Sequence, residues 1–355
     1  MKFTFRGIAW LTVCLLTVGL VSAGTDPAPS AAQPTTELSE QDLYLISVLQ
    51  HIANYSQPGM GVDADTGLPL DHVRIDPDSN ITWGRGMYTA ASKVAPYLLF
   101  LLKVYQGEGY YAHVHLIPTE AELSKLDRLS TPPNNRTLAM ARMMLTLETI
   151  EDMITQDELR GTRLGGMMAW ASIYPDGTVR RDKDLVPLLD NGLLSWAYAA
   201  ILGALQNDTE EMAQNLRTKV QKLLDQQDYS IFHDPERAQF FGEVDVKSGK
   251  GNPGYYLEQF WTEDLLAVLW GLLKTPMSSE ARLKVWDRLK YKLAEYQTSR
   301  GETIDIAVGY IGSNHEILWT LALLPLRSLP ILPLIYNSQY AQADFAAKNG
   351  VPGFL

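Results

Sequence analysis

Cysteine is all but missing from this chain: one residue, Cys14, in 355. A single thiol excludes a disulfide framework and any multi-cysteine metal site. Clusters of positive charge are missing too. There are 41 acidic against 30 basic residues and no Lys/Arg cluster longer than a few positions. Without that electrostatic footprint for a phosphate backbone, nucleic-acid binding is excluded. No apolar run reaches the roughly 20 residues that span a bilayer, and neither a second linker nor a strict repeat interrupts the chain after its N-terminal region. What remains is an ordinary globular composition, 46% hydrophobic and 20% charged, with a formal net charge of −11.

The first 23 residues read as a secretory signal. Lys2 and Arg6 form a positive start, Gly7 to Leu20 an apolar core, and Val21-Ser22-Ala23 a small-residue cleavage site. The rival reading, a membrane anchor, needs more than the roughly 14 apolar residues present. The mature protein is expected to begin near Gly24, with no transmembrane anchor, in the periplasm or outside the cell. Cys14 lies in the apolar core behind Val13, too bulky for a typical lipoprotein site, so the thiol leaves with the signal. Loss of Lys2 and Arg6 moves the formal charge from −11 to −13, which suits a neutral or cationic ligand. Residues 24–37, rich in Pro, Ala, Ser and Thr, read as a flexible leader, and 38–355 as a single domain, expected to be monomeric. A domain of that length favours a closed, layered architecture over a small bundle.

Two kinds of segment alternate. Residues 91–103, 192–206, 260–273 and 316–326 are apolar on nearly every face, whereas 209–227 and 279–296 are amphipathic and charged. Helices apolar all round must be enclosed by protein, and amphipathic ones cover them. The alternation predicts an all-α fold, a toroid of paired helices forming an α/α barrel, in preference to an irregular bundle. Short β-like stretches at 110–117, 168–174 and 239–246, with turns at Pro175-Asp176-Gly177 and Ser248-Gly249, are expected as hairpins in rim loops.

Familiar catalytic motifs fail one after another. His315-Glu316 opens like a zinc-protease helix, but Trp319 stands where the second histidine belongs. His113 and His115 would share a strand face yet lack a third ligand. Asp63-Ala-Asp65-Thr-Gly67 resembles the start of a calcium loop, but Arg74 occupies the position of the bidentate Glu, so a turn is the better reading. Lys250 lacks the glycine of a phosphate loop, and no Gly-x-Ser-x-Gly elbow exists. Without thiol, metal or elbow, carboxylates remain to carry any chemistry.

Several carboxylates lie among aromatic residues. Over 255–273, read as helix, Glu263 shares a stripe with Tyr256, Phe260, Leu266, Ala267 and Trp270. An acid on such a stripe is costly unless paired or facing a wet cavity, and burial raises its pKa toward that of a general acid. Glu148 extends the apolar line Leu138, Ala141, Leu145. Asp190 precedes the apolar helix at Gly192, where an N-cap is the bland alternative. Asp71 lies in a loop before the first inner helix, and Glu316 in a helical first turn, where the dipole favours negative charge whatever its role. Sugar rings combine apolar faces with hydroxyl edges. Trp83, Trp170, Tyr174, Trp196, Tyr255, Tyr256 and Trp261 are candidate platforms, with His315 and Glu316 as polar partners.

An ordered series of short motifs then carries a resemblance: Asp65-Thr-Gly67-Leu-Pro69-Leu-Asp71, Thr146-Leu-Glu148-Thr, Asp190-Asn191-Gly192-Leu, His233-Asp234-Pro235-Glu236-Arg237, Gly254-Tyr255-Tyr256 with Thr262-Glu263, and Ser313-Asn314-His315-Glu316. The series resembles the glucoamylase-like α/α-barrel proteins, a group that includes bacterial endo-β-1,2-glucanases and the central domain of cyclic β-1,2-glucan synthases. The resemblance implies an (α/α)6 barrel acting on a glucan without metal or organic cofactor. The leading expectation is an exported glycoside hydrolase acting on an oligo- or polysaccharide, with Glu263 as general acid and Asp71, Glu148 or Asp190 as second carboxylate. A non-catalytic glycan-binding protein assisting periplasmic polysaccharide assembly or export is the alternative. A terpenoid cyclase would need an Asp-x-Asp-Asp cluster, which Asp63-Ala-Asp65-Thr66 lacks.

Overall fold

The structure is a computed structural model that describes residues 38–75, 82–85, 87–129, 131–162, 164–174, 176–310, 314–324 and 331–351. The expected signal (1–23, with Cys14), the leader (24–37) and Pro175 lie outside the described residues. The chain falls into two units, residues 1–48 and 49–355. The first unit contributes the start of helix α1 (Glu40–Tyr55). Ser39 and Asp42 cap that helix reciprocally, through Asp42 N–H to Ser39 Oγ (3.1 Å) and Ser39 N–H to Asp42 Oδ2 (2.9 Å).

In the second unit, β1 (Val73–Ile75), β2 (Thr82–Arg85) and β3 (Tyr88–Thr89) precede α2 (Ala91–Gln106), α3 (Glu120–Arg128) and α4 (Asn135–Leu159). Then come β4 (Ala171–Ile173), β5 (Val179–Arg181), β6 (Leu185–Pro187), α5 (Leu188–Ala204) and α6 (Glu211–Gln226). Four short strands follow, β7 (His233–Asp234), β8 (Gln239–Phe241), β9 (Glu243–Asp245) and β10 (Tyr256–Leu257), leading to α7 (Glu263–Lys274) and α8 (Ser279–Trp286). The hairpin β11 (Leu293–Gln297) and β12 (Thr303–Ala307) precedes α9 (Asn314–Leu323) and α10 (Leu332–Asn349). The described chain is mostly helical rather than purely so, because small antiparallel sheets join its loops.

The apolar segments fold as their composition demands. Helix α2 buries Val94, Leu98, Phe100, Leu101, Leu102 and Val104 among others, each large side chain contributing about 1.5–3 kcal/mol. It ends on Gly107 in the left-handed region (φ 61°). Helix α2 packs against α4 and α5, α5 also against α6 and α7, and α7 against α9. Helix α6 is amphipathic as expected, burying Ala213, Leu216, Val220, Leu223 and Leu224 at helical spacing. Among the described residues no helix is long and apolar enough to cross a membrane.

Three local readings need correction. The amphipathic segment 279–296 is helical only to Trp286, because Leu293–Gln297 pairs antiparallel with the alternating Thr303-Ile-Asp-Ile-Ala307. Residues 109–113 form a 3-10 turn rather than a strand, so His113 and His115 share no strand face. The helix over 255–273 begins only at Glu263, capped by Thr262 Oγ1, which accepts from Asp264 N–H. Tyr256 and Phe260 therefore lie outside the stripe assigned to Glu263.

The expected turns hold. Tyr174 N–H donates to Thr178 O (2.9 Å) across Gly177, whose φ is 77°. Asp245 Oδ1 accepts from Lys247 N–H, Ser248 N–H and Ser248 Oγ–H ahead of Gly249. Asp63 Oδ1 likewise accepts from Asp65 N–H, Thr66 N–H and Thr66 Oγ–H, a closed turn instead of a calcium loop.

Candidate functional site

Helix α5 opens directly out of β6, which places Asp190 in its first turn rather than at the N-cap. Asp190 is buried, and its carboxylate accepts the indole N–H of Trp170 at 2.6 Å. The Ser92 hydroxyl, at the start of α2, donates to it as well. Burial raises the Asp190 pKa, while the Trp170 and Ser92 bonds and the charge of Lys93 pull it back toward the ionised form.

Next along α2, Lys93 Nζ lies 3.1 Å from Asp71 Oδ1. His72 Nδ1 lies 3.1 Å from Asp71 Oδ2, and Asp71 N–H donates to Tyr88 O (2.8 Å). The His72 and Lys93 bonds hold Asp71 below the usual carboxylate range. Tyr88 also meets Trp170 edge-on, with ring centroids 6.2 Å apart. Consecutive residues of α2, Ser92 and Lys93, thus grip two of the predicted carboxylates, Asp190 and Asp71.

Glu263 is the first residue of α7 and is buried. Burial, followed by the charges of Glu316, Asp264 and Asp190, pushes its pKa up to about 7. Its neighbour Asp264 is different. That carboxylate accepts from Glu258 N–H (2.9 Å) and Gln259 N–H (3.0 Å), so it closes the loop before α7, and burial pushes it to about 6. Glu316, in the first turn of α9, accepts from Tyr310 N–H at 2.9 Å. A side chain at Gly309 would meet Glu316 Oε2, so the carboxylate lies directly against this loop.

Tyr255 completes the group. Its ring lies against Gly242, where an added Cβ would overlap it. Burial and the charges of Asp264, Asp190, Glu243 and Glu263 raise its pKa. The structure thus brings Asp190, Glu263, Glu316, Tyr255 and Trp170 into one electrostatic neighbourhood, with Asp71 joined through Lys93 and Tyr88.

Other candidates fall elsewhere. Trp196 is buried: its indole donates to Leu266 O (3.1 Å) and packs edge-on to Trp270 at 5.4 Å. Glu148 stands half-buried on α4. Tyr256 is half-buried, donates to Asp234 Oδ2 (2.7 Å), and stacks on Phe241 at 4.9 Å, with Arg237 over its face. Trp83 lies in β2 and His315 in α9, but their side chains lie outside the described residues. Among the described residues no three His, Cys, Asp or Glu side chains group to hold a metal ion.

Sequence reasoning missed Tyr88, Ser92 and Lys93, and named Asn191 only as part of a motif, without a role. It also missed Lys183, whose Nζ sits 4.4 Å over the Trp170 ring. The available signal was Ser92-Lys93, two polar residues opening an otherwise apolar helix.

A sequence profile for the family described as endo-beta-1,2-glucanase SGL matches residues 68–355. No curated protein sequence matches the chain. Among solved structures, the chain is similar to the endo-beta-1,2-glucanase from Talaromyces funiculosus in complex with sophorose, with a TM-score of 0.74 and 19% identity, over 89% of this chain and 64% of that one. It is also similar to the endo-beta-1,2-glucanase from Chitinophaga pinensis in complex with sophorotriose and glucose (TM-score 0.55, 11% identity, 89% and 70% covered). A glucoamylase-like protein from Bacteroides caccae is similar over 88% of this chain and 70% of its own (TM-score 0.54, 12% identity). The chain spans less than two thirds of the Talaromyces protein, and at these identities the likeness is one of fold.

Proposed function

Because the chain belongs to the endo-beta-1,2-glucanase SGL family, we propose that it is an exported glycoside hydrolase that cleaves a β-1,2-linked glucan, with Glu263 as general acid and Asp190 as its partner carboxylate. The observation that carries this reading is Glu263 itself. It is a buried carboxyl with a pKa near 7, beside the charges of Glu316 and Asp190. Such a group is half protonated at neutral pH, as an acid that must give a proton to a leaving oxygen requires. Burial raises Asp190 too, but unlike Glu263 it is met by the Trp170 and Ser92 donors and the charge of Lys93, which favour its ionised form against that burial.

In the proposed reaction, the Glu263 proton goes to the glycosidic oxygen as the bond to the anomeric carbon breaks. A water adds to that carbon and gives its proton to the ionised carboxylate. Asp71, kept ionised by His72 and Lys93, is the second candidate for that base. The rings of Trp170 and Tyr255, with the exposed Tyr174 four residues after Trp170 and the exposed Tyr310 bonded to Glu316, offer apolar faces to sugar residues.

Two further elements belong to the proposal. The contacts running from α2 through α5 and α7 to α9, together with the glucoamylase-like fold of the neighbours, support the paired-helix α/α barrel. Residues 1–23 support export, and a mass for the exported protein that begins at Gly24 is the expected result.

The full chain should release reducing ends from linear β-1,2-glucan and not from β-1,3-, β-1,4- or α-linked glucans. Tryptophan quenching by β-1,2-oligosaccharides without any release would replace this reading with the glycan-binding one.

A further inference from the structure

We propose that Asn191 is a positioning residue that holds Trp170 on the Asp190 carboxylate, an inference that rests on Asp190 being the partner carboxylate of the reaction above. The side chain of Asn191 is fully buried. Its Oδ1 accepts from Met168 N–H (2.8 Å), and its Nδ2 donates to Met168 O (2.9 Å) and to Pro187 O (2.7 Å). The side-chain amide therefore pairs with both backbone groups of Met168, as a neighbouring strand would. Asparagine suits this place because one short planar group must both accept and donate.

Asp190 and Asn191 are consecutive on α5 and point about 100° apart. One grips the Trp170 side chain and the other the backbone two residues before it. The chain just before Met168 is held as well. Asp228 N–H donates to Gly165 O (2.7 Å), and Gly166, with φ 69°, presses against the Gln226 carbonyl so closely that a Cβ would overlap it. Beyond Trp170 the chain is held by Asp182 N–H on Trp170 O (2.7 Å). Between these anchors, Asn191 is the described side chain that fixes Met168, and so sets where the indole N–H points.

The test is a titration of indole N–H resonances in the ¹⁵N-labelled full chain, in which Trp170→Phe identifies the Trp170 signal and Asp190→Asn shows that it follows that carboxylate. In Asn191→Ala, and in Asn191→Ser, which keeps a donor for the Pro187 carbonyl and guards against failure to fold, the Trp170 signal should stop titrating with Asp190 while the other indoles stay in place. In the same variants kcat should fall by up to about a hundred-fold, the scale of an ångström of misplacement, with KM little changed. A Trp170 indole that titrates in both variants as in the wild type overturns the inference. Undiminished hydrolysis by Asp190→Asn overturns instead the assignment of Asp190 to the reaction, and leaves the indole titration to decide the anchoring.

Discussion

Gly192 on α5 and Ala267 on α7 touch backbone to backbone: a Cβ on Gly192 would lie 2.6 Å from both Cα and Cβ of Ala267. Asp190 lies two residues before Gly192, and Glu263 one helical turn before Ala267, so this close approach brings the two acids together. Glycine to alanine inside a helix ordinarily gains about 1 kcal/mol. Here Gly192→Ala should instead destabilise the fold by about 1–3 kcal/mol through overpacking, and specific activity of the folded fraction should fall as well. Thermal melting with activity per folded molecule checks both parts.

The elevated pKa of Glu263 makes a signed prediction about stability. A carboxyl with a folded pKa of about 7 against an ordinary value of 4.5 binds its proton more tightly in the folded state. Its contribution therefore favours the fold at low pH and is withdrawn as pH rises between those two values. Glu263→Gln, which mimics the neutral form, should match wild-type stability near pH 4 and exceed it near pH 8 by up to about 3 kcal/mol. Urea unfolding at the two pH values is the measurement, and a variant equally stable or weaker at pH 8 counts against the buried, protonated carboxyl.

The acidic limb of the rate profile should respond to Lys93. Its charge lowers both Asp71 and Asp190, so Lys93→Met raises both carboxylates and moves the acidic limb of kcat/KM to higher pH. The ion pair with Asp71 is partly exposed on both sides, so global stability should change by less than about 1 kcal/mol.

At the third acid, Glu316→Gln would remove the negative charge that lies beside Glu263. Removing that negative charge from the side of Glu263 should lower the Glu263 pKa and draw the basic limb of the profile to lower pH. An unchanged basic limb would separate Glu316 from the chemistry.

Trp196 supplies the control. Its indole serves Leu266 O inside the core, so Trp196→Phe should cost about 1–3 kcal/mol of stability and leave kcat and KM for the glucan unchanged.

Helices apolar on every face were legible from composition, since a run such as Tyr97-Leu-Leu-Phe-Leu-Leu102 has no surface to show to water. The segment after Trp286 was not, because its strand exists only through pairing with Thr303–Ala307, a partner that helical spacing of charges conceals. Glu263, Asp190 and Asp71 stood out as acids among aromatic or loop residues. Asn191 and Ser92 did not, since their roles depend on which backbone or carboxylate tertiary packing brings near. Trp170 and Trp196 look alike in sequence. They differ in the acceptor each indole finds, a carboxylate for one and a helix carbonyl for the other.

The central claim is that Glu263 donates the proton that cleaves a β-1,2-glucan. Reducing-end release from linear β-1,2-glucan should be measured near pH 6 for the full chain and for Glu263→Gln, with folding of both checked by melting. The account predicts release by the wild type and a loss of about 10²- to 10⁴-fold in the variant. Equal release by the two proteins, or none from a folded wild type, would contradict it.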